Sequence, residues 1–196
     1  ITQLKHCTLI VEAIVESLPV KRELMAELIN STHPDTILAT NTSSLSVTAI
    51  AAGLARESNM VGFHFFNPVP LMKVVEVIPG LNTGPGVVEQ LCQYAREMGH
   101  TPVVAQDTPG FIVNHAGRAY TTEALKIRSE QVASFAEIDT ILKDQADFKL
   151  GPFELMDLTG LDVSHPVMES IYRQYYDEAR YRPSVITAQR LTAGVL

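Results

Sequence analysis

Short apolar runs alternate with amphipathic stretches along the first half of the chain. Leu9-Ile10-Val11-Glu12-Ala13 reads as a buried strand. Pro19 then opens a helical pattern to about Ser31, with Val20, Leu24 and Leu28 four residues apart. Ile37–Thr40 is a second strand, and the polar run Asn41-Thr42-Ser43-Ser44 follows it. Ser46 is placed to cap a short helix reaching Leu54. Met60–Phe66 and Lys73–Ile78 are strand-like, Gly86–Met98 is helical, and Thr101–Ala105 is a last strand. These strands are apolar without alternation, which predicts an α/β layer buried on both faces.

The pattern changes at Asp107-Thr108-Pro109-Gly110, and from there only helices are predicted. They are Phe111–Glu130, Phe135–Lys143, Phe153–Thr159, Val163–Tyr176 and Ser184–Thr192, punctuated by Gly151-Pro152 and Gly160. The expected organisation is an α/β part over 1–107 followed by an all-α part over 108–196. The chain begins at Ile1 with no targeting segment, and it reads as a piece of a longer protein.

Composition narrows the function. The 196 residues are 46% apolar and 19% charged, with a net charge of −7, so no basic stripe is present for nucleic acid. No apolar run reaches the roughly 18 to 20 residues of a membrane span. Cys7 and Cys92 form neither a disulfide framework nor a thiolate metal site, and the histidines show no metal-ligand spacing. The reading is of a cytoplasmic enzyme or binding domain with no metal.

Candidate chemistry concentrates on two strands. Val74, Glu76 and Ile78 share a strand face, so Glu76 needs a partner among apolar neighbours. If the strands joined by Pro68–Met72 pair antiparallel about Pro70, His64 falls opposite Glu76, with Cβ atoms about 5 Å apart. A buried carboxylate on one imidazole nitrogen fixes the tautomer and makes the other a better base. Such a dyad serves general acid–base chemistry, although a purely structural bridge has the same spacing. Asn41–Ser44 lies where α/β proteins place binding loops, and no G-x-S-x-G surrounds Ser43 to make it a nucleophile. Asn114 opens the helical part and is either a buried amide or a cleft residue. Gly84-Pro85-Gly86 lacks a third glycine and reads as a loop. Glu154 and Asp157 read as charges at a helix N-terminus, and Tyr172, Tyr175, Tyr176 and Tyr181 as helix packing or an oligomer surface.

Several stretches together resemble the 3-hydroxyacyl-CoA dehydrogenase family. They are Ile10–Glu16, Asn41–Leu45, Gly62-Phe63-His64-Phe65-Phe66-Asn67-Pro68, Val75–Ile78, Thr108–Asn114 and Gly151–Leu155, in family order. The resemblance implies the later strands of a Rossmann-like NAD-binding domain followed by a helical dimerisation domain. It implies oxidation of (3S)-3-hydroxyacyl-CoA with NAD⁺, with His64 as base and Glu76 orienting it. Ser43 and Asn114 would bind substrate oxygen, with Ser43 also beside the nicotinamide. Glu16, Lys21, Asn41 and Asn67 fall on cofactor-side positions, although Lys21 also reads as a solvated helix lysine. Arg118, Glu154–Asp157 and Tyr181–Ser184 resemble the branch associated with phenylacetate degradation. Implied partners are acyl-CoA and a second copy of the chain through the helical domain. Four features depart from the family: the βαβ unit bearing G-x-G-x-x-G is absent, as is the acidic residue expected after the second strand of that unit, His115 stands where the family has arginine, and the Gly-Arg-Lys-rich segment expected after Thr192-Ala193-Gly194 is missing. That leaves a second expectation open, a dimerising, acyl-CoA-binding module without turnover.

Overall fold

The computed structural model describes residues 1–195, leaving Leu196 outside, and the chain divides into two compact units, Ile1–Ile112 and Val113–Leu196. In the first unit five strands form one sheet in sequence order: β1 (Leu9–Glu12), β2 (Ile37–Thr40), β3 (Met60–Phe65), β4 (Val74–Pro79) and β5 (Thr101–Val104). All neighbours are parallel except β3 and β4, whose short connection returns the chain as an antiparallel pair. The three middle strands are buried on both faces, whereas β1 and β5 are partly exposed because each has one neighbour.

Helices cover the two faces. α1 (Leu18–Ser31) and α2 (Val47–Ala51) supply Met25, Leu28, Ile50 and Ala51 against Leu38 and Met60. α3 (Pro85–Glu97) supplies Leu91, Cys92 and Ala95 against Ile37, Ala39, Val61, Phe63, Val75 and Val77. The odd–even split of these strand residues follows from the two-residue period of a pleated strand. The buried side of α1 runs through Lys21, Met25 and Leu28, while Val20 is exposed, so its apolar stripe is rotated from the expected one. Gly84 is the N-cap of α3 and Pro85 its first residue, so Gly84-Pro85-Gly86 starts a helix and is not a loop.

α2 is short but doubly capped. Ser46 Oγ accepts the Ala49 N–H, and the Asp107 carboxylate accepts from Ser46 Oγ, Val47 N and Thr48 N at 2.7–2.9 Å. The helix presses close to the sheet at Gly62, where an added Cβ would stand 2.8 Å from Val47 Cγ2 and 2.9 Å from Ile78 Cβ. Gly62→Ala is therefore expected to destabilise the protein by about 1–3 kcal/mol in urea unfolding. A midpoint matching the wild type would show that α2 can move away.

The second unit is helical: α4 (Val113–Ala116), α5 (Arg118–Ser129), α6 (Phe135–Ala146), α7 (Pro152–Thr159), α8 (Leu161–Gln174) and α9 (Val185–Thr192). Its core joins Ala124, Leu125, Ile138, Phe153, Met156, Leu161 and Met168. The single helix expected over Phe111–Glu130 is interrupted. Gly110 and Phe111 are both left-handed, at φ of 81° and 49°, so helix begins only at Val113. Residues as far as Ile112 stay with the sheet, since Phe111 packs on Val47, Ile78 and Ala105. At Gly117 the backbone remains right-handed helical, with φ −70° and ψ −14°, so α4 runs almost directly into α5.

Asp139 of α6 caps α7, accepting from Phe153 N and Glu154 N. Gly151 makes room for it, since a Cβ there would lie 2.3 Å from the Asp139 carboxylate. Glu154 accepts from Gly151 N and pairs with Lys143, a helix-terminal charge as expected.

Candidate active site

The β3–β4 register places His64 directly opposite Glu76. Both are buried, and His64 Nδ1 lies 2.7 Å from Glu76 Oε2. An ionised carboxylate only accepts, so Nδ1 carries the hydrogen and Nε2 presents its lone pair. Nε2 has no hydrogen bond among the described residues. Edges of Phe66 and Phe111 pack at 4.8 and 5.7 Å from the imidazole, which limits water around the pair. The other oxygen of Glu76, Oε1, accepts the Ile112 N–H at 2.9 Å. That bond depends on the left-handed Gly110 and Phe111, a local strain of a kind concentrated at functional sites. No sequence pattern announced it.

A second polar cluster forms where β1 and β2 end. Glu16 Oε1 accepts from Thr42 Oγ1, Ser43 N, Ser44 N and Ser44 Oγ at 2.6–3.1 Å, which accounts for the hydroxyls of Thr42 and Ser44 in that loop. Glu16 Oε2 is 3.6 Å from Lys21 Nζ. Asn41 is a cross-strand tie: its Oδ1 accepts from Phe65 N at 2.9 Å and joins the ends of β2 and β3. Ser43 is half-buried in the loop, and Asn67 is exposed just beyond β3.

Lys21 is a correction to the solvated-lysine reading. It is 1% exposed, and Nζ donates to both oxygens of Glu12, at 3.0 and 2.9 Å, and to the Ile14 carbonyl. Glu12 is buried as well and also accepts from Ile14 N and Thr40 Oγ1. Sequence reading missed Glu12. The available signal was a carboxylate ending an apolar strand with a lysine one turn into the next helix.

In the second unit, Asn114 is half-buried on α4. His115 sits beside a pair of tyrosines, its Nδ1 2.9 Å from Tyr175 Oη and its Nε2 3.3 Å from Tyr181 Oη, and the two phenol rings stack at 4.6 Å. Those tyrosines are packing residues. Arg118 is 7% exposed, its Nε has no hydrogen-bond partner among the described residues, and burial lowers its pKa to about 10, so it stays charged at neutral pH.

The polar groups of Glu16, Asn41 and Ser43 are of the kind that hydrogen-bond the hydroxyl and amide groups of a nicotinamide riboside. A pyrophosphate needs a glycine-rich turn, and none of the form G-x-G-x-x-G occurs in the 196 residues. Among the described residues no cluster of His, Cys, Asp and Glu could hold a metal ion, and no helix is long and apolar enough to cross a membrane.

Comparison with known proteins identifies the family. Residues 1–108 match the family model for the 3-hydroxyacyl-CoA dehydrogenase NAD binding domain, and residues 110–196 match that for the 3-hydroxyacyl-CoA dehydrogenase C-terminal domain. The chain is 46% identical to the 3-hydroxyadipyl-CoA dehydrogenase of Escherichia coli over 96% of its own length and 40% of that protein. It superposes with a TM-score of 0.95 on the crystal structure of 3-hydroxybutyryl-CoA dehydrogenase from Escherichia coli, at 45% identity, covering 99% of this chain and 41% of that one. For the (S)-3-hydroxybutyryl-CoA dehydrogenase of Ralstonia eutropha the TM-score is 0.93 at 33% identity, covering 98% and 68%. The chain thus spans less than half the length of the two Escherichia coli proteins. On both of its units, the chain belongs to the 3-hydroxyacyl-CoA dehydrogenase family.

Proposed function

We propose that the protein oxidises (3S)-3-hydroxyacyl-CoA to 3-oxoacyl-CoA. The observation that carries this reading is the His64–Glu76 pair, which holds one imidazole nitrogen on a carboxylate and leaves Nε2 available. His64 Nε2 removes the proton of the 3-hydroxyl. NAD⁺, when bound, supplies the acceptor for the hydride that leaves C3. Glu76 holds the ring in one tautomer and offsets the positive charge the imidazole gains, and the Ile112 N–H fixes Glu76 in turn. Ser43 and Asn114 hydrogen-bond the substrate oxygen.

On the cofactor side, Glu16, Ser43 and Asn67 contact the nicotinamide riboside. Asn41 shapes the loop that presents them. Lys21 contributes by fixing Glu12 and Glu16 and makes no contact of its own, because its donors are already used. The helical unit pairs two copies of the protein, the setting is cytoplasmic, and the Arg118 and Glu154–Asp157 segments support a place in aromatic-acid (phenylacetate) breakdown.

The test offers the protein NAD⁺ with (3S)- and (3R)-3-hydroxybutyryl-CoA separately and follows NADH absorbance. NADH formation from the S isomer alone is expected. Equal use of both isomers contradicts a base fixed on one side of C3. Binding of acyl-CoA without any turnover supports the module reading instead.

A further inference from the structure

We infer that Glu12, buried at the end of β1, is a positioning residue that keeps the Glu16 carboxylate turned toward the Thr42–Ser44 loop on the cofactor side. The inference rests on the proposed reaction with NAD⁺, and all its residues lie within the first unit. Glu12 is buried and faces the equally buried Lys21. Taking two charges out of water costs about as much as their attraction returns. An apolar pair of similar volume would hold β1 and α1 together at least as well. The use of the pair therefore lies in what its charges keep in place.

Two paths lead from Glu12 to the loop. Along β2, the Thr40 hydroxyl donates to Glu12 Oε1, and Thr40 Oγ1 accepts the Thr42 N–H at 3.3 Å. The Glu12 carbonyl adds a backbone anchor by accepting the Asn41 N–H at 2.9 Å. Along α1, Lys21 Nζ donates to both Glu12 oxygens and to the Ile14 carbonyl, at 2.9–3.3 Å. Glu16 Oε2 lies 3.6 Å from that Nζ, within reach of its charge and too far for a good hydrogen bond. Glu16 Oε1 is thereby left to the donors of Thr42, Ser43 and Ser44. With Glu12 neutral, Glu16 becomes the one carboxylate beside the ammonium among the described residues. Nζ and Oε2 then close on each other, and Oε1 is drawn off the loop assigned to the nicotinamide riboside.

Hydrogen exchange of the protein without ligand, read by NMR, tests the effect on the loop. In Glu12→Gln the Ser43 and Ser44 amides, which donate to Glu16, should exchange about tenfold faster, while the β3–β4 amides keep their rates. Fluorescence titration with NADH tests the effect on the cofactor side. The dissociation constant should rise about tenfold, the scale of one lost hydrogen bond to a charged group. Glu12→Asp separates charge from shape, since it keeps the charge and loses a methylene, whereas glutamine keeps the shape and loses the charge. Positioning by charge places Glu12→Asp nearer the wild type, within about threefold for NADH. An unchanged dissociation constant in Glu12→Gln, exchange that quickens throughout β3–β4, or Glu12→Gln nearer the wild type than Glu12→Asp would make Glu12 a packing residue. Each of these overturns the inference, while NADH binding and oxidation by the wild type leave the proposed reaction standing. A wild type that neither binds NADH nor oxidises it with acetoacetyl-CoA would remove the proposed reaction and the inference together.

Discussion

Lys21→Met is expected to destabilise the first unit by about 3–5 kcal/mol, the range found when one partner of a buried ion pair is removed. Methionine nearly matches the lysine stem in volume, so the packing of the buried side of α1 is kept and the loss is electrostatic. Lys21 and Glu12 are 1% and 4% exposed, and Nζ holds both carboxylate oxygens. Without it Glu12 keeps, among the described residues, only Ile14 N and Thr40 Oγ1 as partners and remains a charge in an apolar setting. The same change withdraws the cation nearest Glu16, which organises the Thr42–Ser44 loop. Adding Glu12→Gln removes the stranded charge and should recover part of the stability, the signature of a paired and not an additive effect. Urea unfolding of the two variants measures both numbers. A loss below about 1 kcal/mol for Lys21→Met would mean the pair is far better hydrated than its burial indicates.

Much of the fold was legible because it follows from period and composition. The strands were found from apolar runs, and the His64–Glu76 juxtaposition follows from a two-residue period on either side of a short connection. Ser46 was recognisable as a cap because its chemistry is local. What stayed hidden depends on distant or unusual backbone geometry. Lys21 looked solvated because hydrophobic periodicity has no term for a lysine whose counter-ion lies on the preceding strand. The Ile112 bond to Glu76 requires two consecutive left-handed residues, one of them Phe111, where steric preference predicts none. Gly84-Pro85-Gly86 combines turn residues that also begin helices, and only the following amphipathic run decides between them. Asp107 gave no sign of capping a helix some sixty residues earlier, since nothing in its own neighbourhood encodes that contact. The burial of Arg118 is likewise set by packing, which a sequence pattern around Gly117 does not record.

His64→Gln is expected to lower turnover by at least about a hundredfold with little change in folding. The glutamine amide can still donate to Glu76, so the buried carboxylate keeps a partner and the β3–β4 pairing is undisturbed. An amide cannot take up a proton near neutral pH, so the 3-hydroxyl loses its base in one direction and the 3-oxo group its acid in the other. The most direct measurement mixes acetoacetyl-CoA and NADH with wild type and variant and follows the loss of NADH absorbance, with far-UV circular dichroism as the check on folding. The account predicts steady oxidation by the wild type and a rate at least about a hundredfold lower for a variant of unchanged spectrum. Equal rates from the two proteins would contradict it and would leave His64 and Glu76 as a structural bridge.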